Sequence, residues 1–289
     1  MTAERPATAP QVQPVTPEQR RLDQAIRAAI RRDDRIGYAL AYGSFTQGAA
    51  DAFSDLEYYV FLPETELARF DVRAWLEATA PVRHFVVNDF GTPNAVLDSL
   101  LRVELHAEAD TRLDLVRAWP GSHVHPEAML IKDTAGRLAA HLQALASKAL
   151  AQPAAEAEVL FARLLNWLVF GLNVLARGER VRALELLGWI QGGLLRLARL
   201  HEGQTGHWLN ASRLAEWELS AGTLRRYARV TAGLDELEQA YAAAWAWIQE
   251  LAGALPASAR GTIAPELAQA LEQRLASLRA SDSSGKGRT

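Results

Sequence analysis

The chain has 289 residues, 49% apolar and 22% charged, so it is long enough to bury one large core or two modest ones. Its formal net charge of −3 gives no overall basic field for holding a nucleic-acid backbone, and the absence of cysteine excludes disulfides, thiolate zinc sites and cysteine nucleophiles. No signal-peptide core is visible, and no uninterrupted apolar run approaches the roughly 20 residues of a membrane-spanning helix. We therefore expect a cytoplasmic protein whose partners include neither nucleic acid nor a membrane.

The first half of the chain mixes one helix with several short β-rich runs. Thr16-Pro17-Glu18 is typical of a helix N-cap followed by a proline in the first turn, and it predicts a helix over residues 17–32. The β-rich runs lie at residues 36–43, 56–62, 82–88, 94–99 and 100–107. This half is predicted to be an α/β or α+β domain.

The second half has a different pattern. From about Glu156, apolar residues recur at helical spacing between glycine-containing breaks, which predicts an all-α helical bundle. A helix stop near Pro153 places the domain boundary there. The predicted segments are a disordered tail at 1–16, an α/β (α+β) domain at 17–152, an all-α helical bundle at 153–280 and a second disordered tail at 281–289.

A Gly-Ser pair ends the first β-rich run. Where such a pair opens a helix, free backbone N–H groups and the hydroxyl can approach phosphate oxygens closely. Gly43 and Ser44 are therefore predicted to lie at the start of a helix and to cradle a triphosphate. A lone Gly-Ser pair is also a common turn, so this prediction needs the support of acidic residues later in the chain.

Three such acidic residues lie on two predicted strands. Asp55 and Glu57 are two positions apart, so their side chains project from the same face. On the later strand the same period places Arg102, Glu104 and His106 on one face. If the strands are neighbours, three carboxylates converge, and Mg²⁺ prefers such oxygen ligands together with substrate phosphates. For either strand alone, a solvated sheet face is the alternative.

Three arginines surround a predicted corner between two helices of the second half. Gly178 is typical of a helix C-cap, and Glu179 opens the next helix. Arg177 and Arg182 are candidates for contact with phosphates or with leaving pyrophosphate. The alternative is that the arginines, which include Arg180, form a solvated corner.

The combination of Gly43, Ser44, Asp55 and Glu57 resembles the signature of the nucleotidyltransferase superfamily with a polymerase-β-like core. In particular, the chain is similar to the lincosamide nucleotidyltransferases, a family that modifies antibiotics. The similar blocks are YGSFTQGAADAFSDLEYYVFL, FGTPNAVLDSLLRVELHA, AMLIKDTAGRL, GLNVLARGERVRALELL and HWLNASRLAEWE. They lie in that family's order and span roughly residues 30–250, so the resemblance covers both predicted domains.

The resemblance implies transfer of a nucleoside monophosphate, in the first instance AMP from ATP or another nucleoside triphosphate, to a sugar hydroxyl of a lincosamide, with release of pyrophosphate. It implies that Asp55 and Glu57 hold Mg²⁺, with two ions expected, and that Gly43 and Ser44 grip the triphosphate. Glu104 would take the proton from the attacking hydroxyl and also touch a metal ion. Positioning, charge neutralisation and a nearby base are what phosphoryl-type transfer requires, although the residues alone leave the role of Glu104 open.

Three other hypotheses remain open. An aminoglycoside nucleotidyltransferase would use the same core with a carboxylate-rich cleft for a polycationic acceptor. A protein of the toxin–antitoxin type would join the same core to a helical domain that binds or cleaves RNA, and Arg196 and His201 satisfy the loose Arg-x4-His pattern of such domains. A degenerate core would bind nucleotide without catalysis, although the motif residues are all present.

The expected partners are therefore a small-molecule antibiotic and a nucleoside triphosphate. Members of the resembling family can be dimers, and the apolar, Trp-rich helical half offers a contact surface for a homodimer.

Overall fold

The computed structural model describes residues 13–121, 123–148, 153–255, 259 and 261–285. The described residues form two compact units, an α/β unit up to residue 148 and a helical unit from residue 153. A mixed α/β half followed by a helical half is the fold class that the sequence predicts, and the structure confirms it.

The α/β unit begins with a well-capped helix. The elements are α1 (Pro17–Arg32), β1 (Tyr38–Tyr42), β2 (Leu56–Leu62), α2 (Glu64–Leu67), α3 (Val72–Glu77), β3 (Val82–Val87), β4 (Pro93–Leu97), β5 (Arg102–Ala109), a 3₁₀ segment (Asp110–Ala118), α4 (Pro126–Met129), β6 (Leu130–Asp133) and α5 (Arg137–Ala146). Helix α1 has the predicted bounds because Thr16 and Gln19 form a reciprocal capping box at its start. Strand β6 was not predicted, since its four residues include Lys132 and Asp133 and show no apolar alternation.

The six strands form one mixed sheet in the order β3-β4-β5-β2-β1-β6. Strands β2 and β5 pair in parallel at its centre, and the other neighbouring pairs are antiparallel. Because β2 and β5 are neighbours, Glu57 and Glu104 lie on adjacent strands, with Asp55 just before β2, although the two acidic segments are far apart in the sequence.

Different elements pack against the two faces of this sheet. Ala39 of β1 packs in the core that also contains Ile26 and Ile30 of α1. Leu40 points to the opposite face, where the 3₁₀ segment and α5 supply residues such as Leu113 and Leu142. Period-two alternation therefore decides which side chains of β1, β2 and β5 enter each core.

The connection after β1 differs from the prediction. Residues 43–48 form turns, and no helix opens at Gly43 and Ser44. The amide of Thr46 donates to the Gly43 carbonyl, and Gly43 and Gly48 both have left-handed backbones, with φ of 72° and 69°. Two left-handed residues so close together leave room for about one turn of chain, which is too short to nucleate a helix.

The helical unit contains α6 (Pro153–Ala176), α7 (Arg180–His201), a 3₁₀ segment (Thr205–Asn210), α8 (Ala215–Glu218), α9 (Ala221–Arg229), a 3₁₀ turn (Leu234–Glu236), α10 (Leu237–Ala254) and α11 (Pro265–Gly285). Helices α6 and α7 pack closely because Gly193 lets Leu164 approach the α7 backbone. By length and composition α6 could cross a membrane, but half of its most apolar stretch is buried inside this unit. Its apolar character is accounted for by packing in the core of the bundle.

Both predicted tails are partly within the described residues. Pro14 forms an isolated β-bridge with Asp51, and residues 1–12 lie outside the described part of the chain. Helix α11 continues to Gly285, past the position where the sequence predicted a tail from residue 281, and residues 286–289 are again outside the described part.

Candidate active site

Two glutamates lie side by side at the centre of the sheet. Glu57 of β2 and Glu104 of β5 are direct partners in the parallel register. On the outer sides of this pair, Tyr42 of β1 lies opposite Glu57, and Asn94 of β4 lies opposite Glu104. Since neighbouring strands are about 4.8 Å apart, the side chains of this row are within reach of one another.

Asp55 lies just before β2, and Arg102 connects it to this row. Nη1 of Arg102 donates to Oδ2 of Asp55 at 2.7 Å, and Nη2 donates to Oε1 of Glu104 at 2.8 Å. The same Nη2 donates to Oδ1 of Asn94 at 2.8 Å. Burial raises the pKa of Asp55, the Arg102 guanidinium acts against that shift, and the Glu104 carboxylate adds to it. One guanidinium thus lies among the predicted carboxylates.

The second oxygen of Glu104 accepts a hydrogen bond from Tyr42. The phenol O–H donates to Oε2 of Glu104 at 3.2 Å, and Nε2 of His106 lies 3.1 Å from the same phenol oxygen. Burial, reinforced by Glu57 and Glu104, raises the pKa of Tyr42 far above its ordinary value, so the phenol remains a donor. Because that proton goes to the carboxylate, Nε2 of His106 is the donor toward Tyr42.

Aromatic packing holds His106 in position. Its ring stacks on Tyr59 with centroids 4.0 Å apart and planes inclined by 5°. Trp119 packs against both Tyr59 and Tyr42, at centroid distances of 5.1 and 5.7 Å. Burial lowers the pKa of His106, with the Glu104 carboxylate opposing that shift, so the ring is favoured in its neutral form. The row therefore has a desolvated aromatic wall along one side.

The carboxylate of Glu57 occupies the space where a side chain at position 43 would begin. A methyl group at position 43 would lie 1.4 Å from Oε2 of Glu57, and the backbone there has the left-handed φ of 72°. Glycine is therefore required for two reasons, its backbone conformation and the close approach of the carboxylate. Ser44, the next residue, is buried in the turn.

The loop that leads to Asp55 is fixed by side-chain hydrogen bonds. Ser54 and Asp51 bond to each other, with Oγ of Ser54 donating to Oδ1 of Asp51 at 3.0 Å. Nε2 of the buried Gln19 donates to the carbonyls of both residues, at 3.1 and 3.0 Å. The helix α1 therefore holds the chain immediately before Asp55.

The other predicted phosphate ligands lie in the helical unit. Arg177 and Arg182 have 65% and 51% of their side chains exposed, and both pair with Glu179 at the corner between α6 and α7. Arg180 instead makes a two-pronged ion pair with the buried Glu238 of α10, which fixes the corner. The contact of Arg177 and Arg182 with phosphates remains a prediction.

Several residues of the row were not predicted as site residues. Tyr42 directly precedes Gly43, and the period of β5 did place Arg102 and His106 on the face of Glu104, so their positions could be inferred from the sequence. The contacts of Gln19 and Asn94 could not be inferred from the sequence, because they depend on which segments become neighbours in the fold.

The predicted metal ligands are not arranged as a finished metal site. Among the described residues, no three His, Asp or Glu side chains are grouped in a way that could hold a metal ion. The Arg102 guanidinium instead lies between Asp55 and Glu104. The donors are nevertheless the hard oxygens that Mg²⁺ prefers, and Glu57 and Glu104 are already neighbours.

Comparison with known proteins finds a family similarity in the helical unit. Residues 153–273 match the family described as "Lincosamide nucleotidyltransferase-like, C-terminal domain". This match supports the prediction from the sequence that the protein is a nucleotidyltransferase. The match lies within the helical unit and agrees with the resemblance stated from the sequence.

Two solved structures show a distant likeness to this chain. An aminoglycoside 6-adenyltransferase from Bacillus subtilis has 14% identity and a TM-score of 0.40, with 92% of this chain and 99% of that chain covered. A nucleotidyltransferase-like protein from Exiguobacterium sibiricum 255-15 has 16% identity and a TM-score of 0.36, with 80% of this chain and 74% of that chain covered. No curated protein matches the chain.

Proposed function

We propose that this protein transfers a nucleoside monophosphate, in the first instance AMP from ATP, to a hydroxyl of a lincosamide antibiotic. The observation that carries the proposal is the in-register pair of Glu57 and Glu104 on the central parallel strands. Gly43 packs against one member of this pair, and Asp55 lies two residues before it. The match of residues 153–273 to the C-terminal domain of lincosamide nucleotidyltransferase-like proteins supports the choice of acceptor.

The proposed reaction is a single displacement at the α-phosphorus. The acceptor oxygen forms a bond to that phosphorus, the bond to the β-phosphate bridging oxygen breaks, and pyrophosphate leaves with its electron pair. Glu104 takes the proton of the acceptor hydroxyl. Tyr42 orients the carboxylate by donating to its Oε2, and in the protein without ligands Arg102 donates to the other oxygen, Oε1.

Asp55 and Glu57, together with Glu104, are the residues that would hold Mg²⁺. When bound, the metal would neutralise charge on the triphosphate and on the leaving pyrophosphate. The turn at Gly43 and Ser44 places backbone groups beside Glu57, where the triphosphate would approach the same carboxylates.

The test is mass spectrometry of lincomycin or clindamycin incubated with the protein, Mg²⁺ and each nucleoside triphosphate in turn. We expect an adduct with the added mass of one nucleoside monophosphate, lost in Asp55→Asn because the amide removes a charged ligand. Absence of an adduct from folded protein with every donor would reject the lincosamide as acceptor, and aminoglycosides would be tested next. A full-rate reaction by Asp55→Asn would reject the assigned role of that residue.

Replacement of Gly43 by alanine is expected to reduce nucleotidyl transfer by about 10²-fold, because the methyl group displaces the Glu57 carboxylate by an ångström or more. The left-handed backbone adds a stability cost of about 1–2 kcal/mol. Steady-state kinetics and thermal unfolding measure the two effects separately.

Gly91→Ala is the matched control for this variant. Gly91 has a φ of 78° but has open space where a methyl group would lie. It is therefore expected to lose similar stability without the loss of activity. If both alanine variants lost activity equally, the proposed contact between Gly43 and Glu57 would have no catalytic importance.

A further inference from the structure

Arg102 carries a positive charge into the group of carboxylates that the proposed function assigns to a metal. Its guanidinium makes three hydrogen bonds of 2.7–2.8 Å, to Asp55, Asn94 and Glu104. The arginine is a residue of β5 itself, two positions before Glu104, so it cannot move far from the site. Its side chain is 46% exposed, which leaves space for it to rotate away.

A guanidinium and a divalent cation cannot both occupy this position at low free energy. Both would lie within a few ångströms of the same carboxylate oxygens, where like charges repel strongly even with solvent screening. Glu104 has its Oε2 engaged by Tyr42 and its Oε1 engaged by Arg102. Movement of Arg102 therefore frees Oε1 of Glu104, while Tyr42 continues to hold Oε2.

Once it has left the carboxylates, the Arg102 guanidinium could bind the phosphate oxygens of the nucleotide. A guanidinium presents several donors in a fixed fork that matches phosphate oxygens, and it keeps its charge under all physiological conditions. A nucleoside triphosphate bound at the carboxylates would bring such oxygens next to β5.

We propose that Arg102 is a two-position residue, which neutralises Asp55 and Glu104 in the metal-free protein and moves to the donor's phosphates when metal and nucleotide bind. This inference rests on the proposed function, since it requires a metal and a triphosphate at these carboxylates. Arg102 is then an internal competitor of the metal. The apparent metal affinity is reduced by the fraction of molecules in which the guanidinium occupies the carboxylates.

The first measurement is Mn²⁺ binding to the full chain without nucleotide, by isothermal titration calorimetry and by the Mn²⁺ electron paramagnetic resonance signal. Arg102→Gln is expected to bind Mn²⁺ about fivefold or more tightly than the unaltered protein, at the lower end of typical couplings between two ligands. Arg83→Gln is the matched control, because Arg83 lies on the same sheet and pairs with Asp98 instead. It removes the same charge and is expected to leave the Mn²⁺ affinity unchanged.

The second measurement is binding of a non-hydrolysable ATP analogue at saturating Mg²⁺. Here Arg102→Gln is expected to bind about tenfold more weakly, since a charge-assisted hydrogen bond to phosphate is lost. Tighter Mn²⁺ binding combined with weaker analogue binding is the signature of a residue with two positions. A residue that only stabilises the fold would not shift the two affinities in opposite directions.

Unchanged or weaker Mn²⁺ binding by Arg102→Gln would overturn the proposed competition, and unchanged analogue binding would overturn the second position. Either result would leave the proposed function intact if the unaltered protein binds both ligands. If the unaltered protein bound neither, the proposed function and this inference would fail together. Should Arg102→Gln not fold, Arg102→Lys keeps the charge but cannot hold three acceptors in one plane, and it must show the same two opposite shifts at smaller size.

Discussion

Glu104→Gln is expected to lose about 10²- to 10⁴-fold in kcat while the protein remains folded. Glutamine has the shape of glutamate but cannot take a proton from the acceptor hydroxyl. Its one amide oxygen can accept from either Tyr42 or Arg102, so one of the two present contacts is lost at a cost of about 1 kcal/mol. Steady-state kinetics with both substrates, together with thermal unfolding, measure these effects.

Glu108→Gln is the control on the same strand. Glu108 pairs with Arg112 and makes no contact with Asp55, Glu57 or Glu104. The kcat of Glu108→Gln is therefore expected to be unchanged. Mn²⁺ affinity separates the two roles proposed for Glu104: a large loss of kcat at nearly normal affinity indicates a base, and a parallel loss of both indicates a ligand. Full activity of Glu104→Gln would rule out either role.

Arg199→Met is expected to destabilise the helical unit by about 3–5 kcal/mol. Arg199 is completely buried, and its Nε donates to the Ala211 carbonyl at 2.7 Å. Its other nitrogens donate to the carbonyls of Gln204 and Arg213 and to the carboxylate of Glu218. Methionine can fill much of the volume, but it leaves these acceptors unpaired inside the protein.

Urea denaturation followed by tryptophan fluorescence measures this change. Six of the eight tryptophans lie in the helical half, so the signal reports mainly on that unit. Arg226→Met is the control, because Arg226 pairs with Glu250 at the surface and its loss is expected to cost less than about 1 kcal/mol. Equal destabilisation by the two substitutions would show that the buried arginine has no special structural role.

The same cluster predicts a sensitivity to acid. Burial alone would raise the pKa of Glu218, but hydrogen bonds from Arg199 and His207 outweigh this effect and place the pKa below its ordinary value. A carboxylate with a lowered folded-state pKa stabilises fully above its unfolded pKa of about 4.3 and loses that contribution as pH falls through the folded value. The difference in urea midpoint between the unaltered protein and Glu218→Gln is therefore expected to shrink between about pH 6 and pH 3. A difference that stays constant over this range would contradict the assignment.

The sequence predicted the parts of the fold that depend on neighbouring residues. The capping residue Thr16 fixed the start of α1, and period-two alternation placed Glu104 and His106 on the opposite face of β5 from Val103 and Leu105. These features are local, because a cap or an alternating pattern involves only a few consecutive residues.

The features that the sequence did not predict correctly depend on contacts between distant segments. The turn after Gly43 was predicted as the start of a helix because a Gly-Ser pair is compatible with both structures. Nor does the pattern of β5 show that Arg102 reaches Asp55, since that contact requires β2 and β5 to become parallel neighbours. Their order in the sheet is set by packing over the whole unit.

The parallel pairing of β2 and β5 also bears on how this protein can change in evolution. The chain between the two strands, residues 63–101, is a long crossover that contains β3 and β4. An insertion in the loops of that crossover would leave the partnership of Glu57 and Glu104 untouched, because the register is set by the strands and not by the length between them. Relatives are therefore expected to vary in length there, and to tolerate no shift at all within residues 55–57 or 102–106.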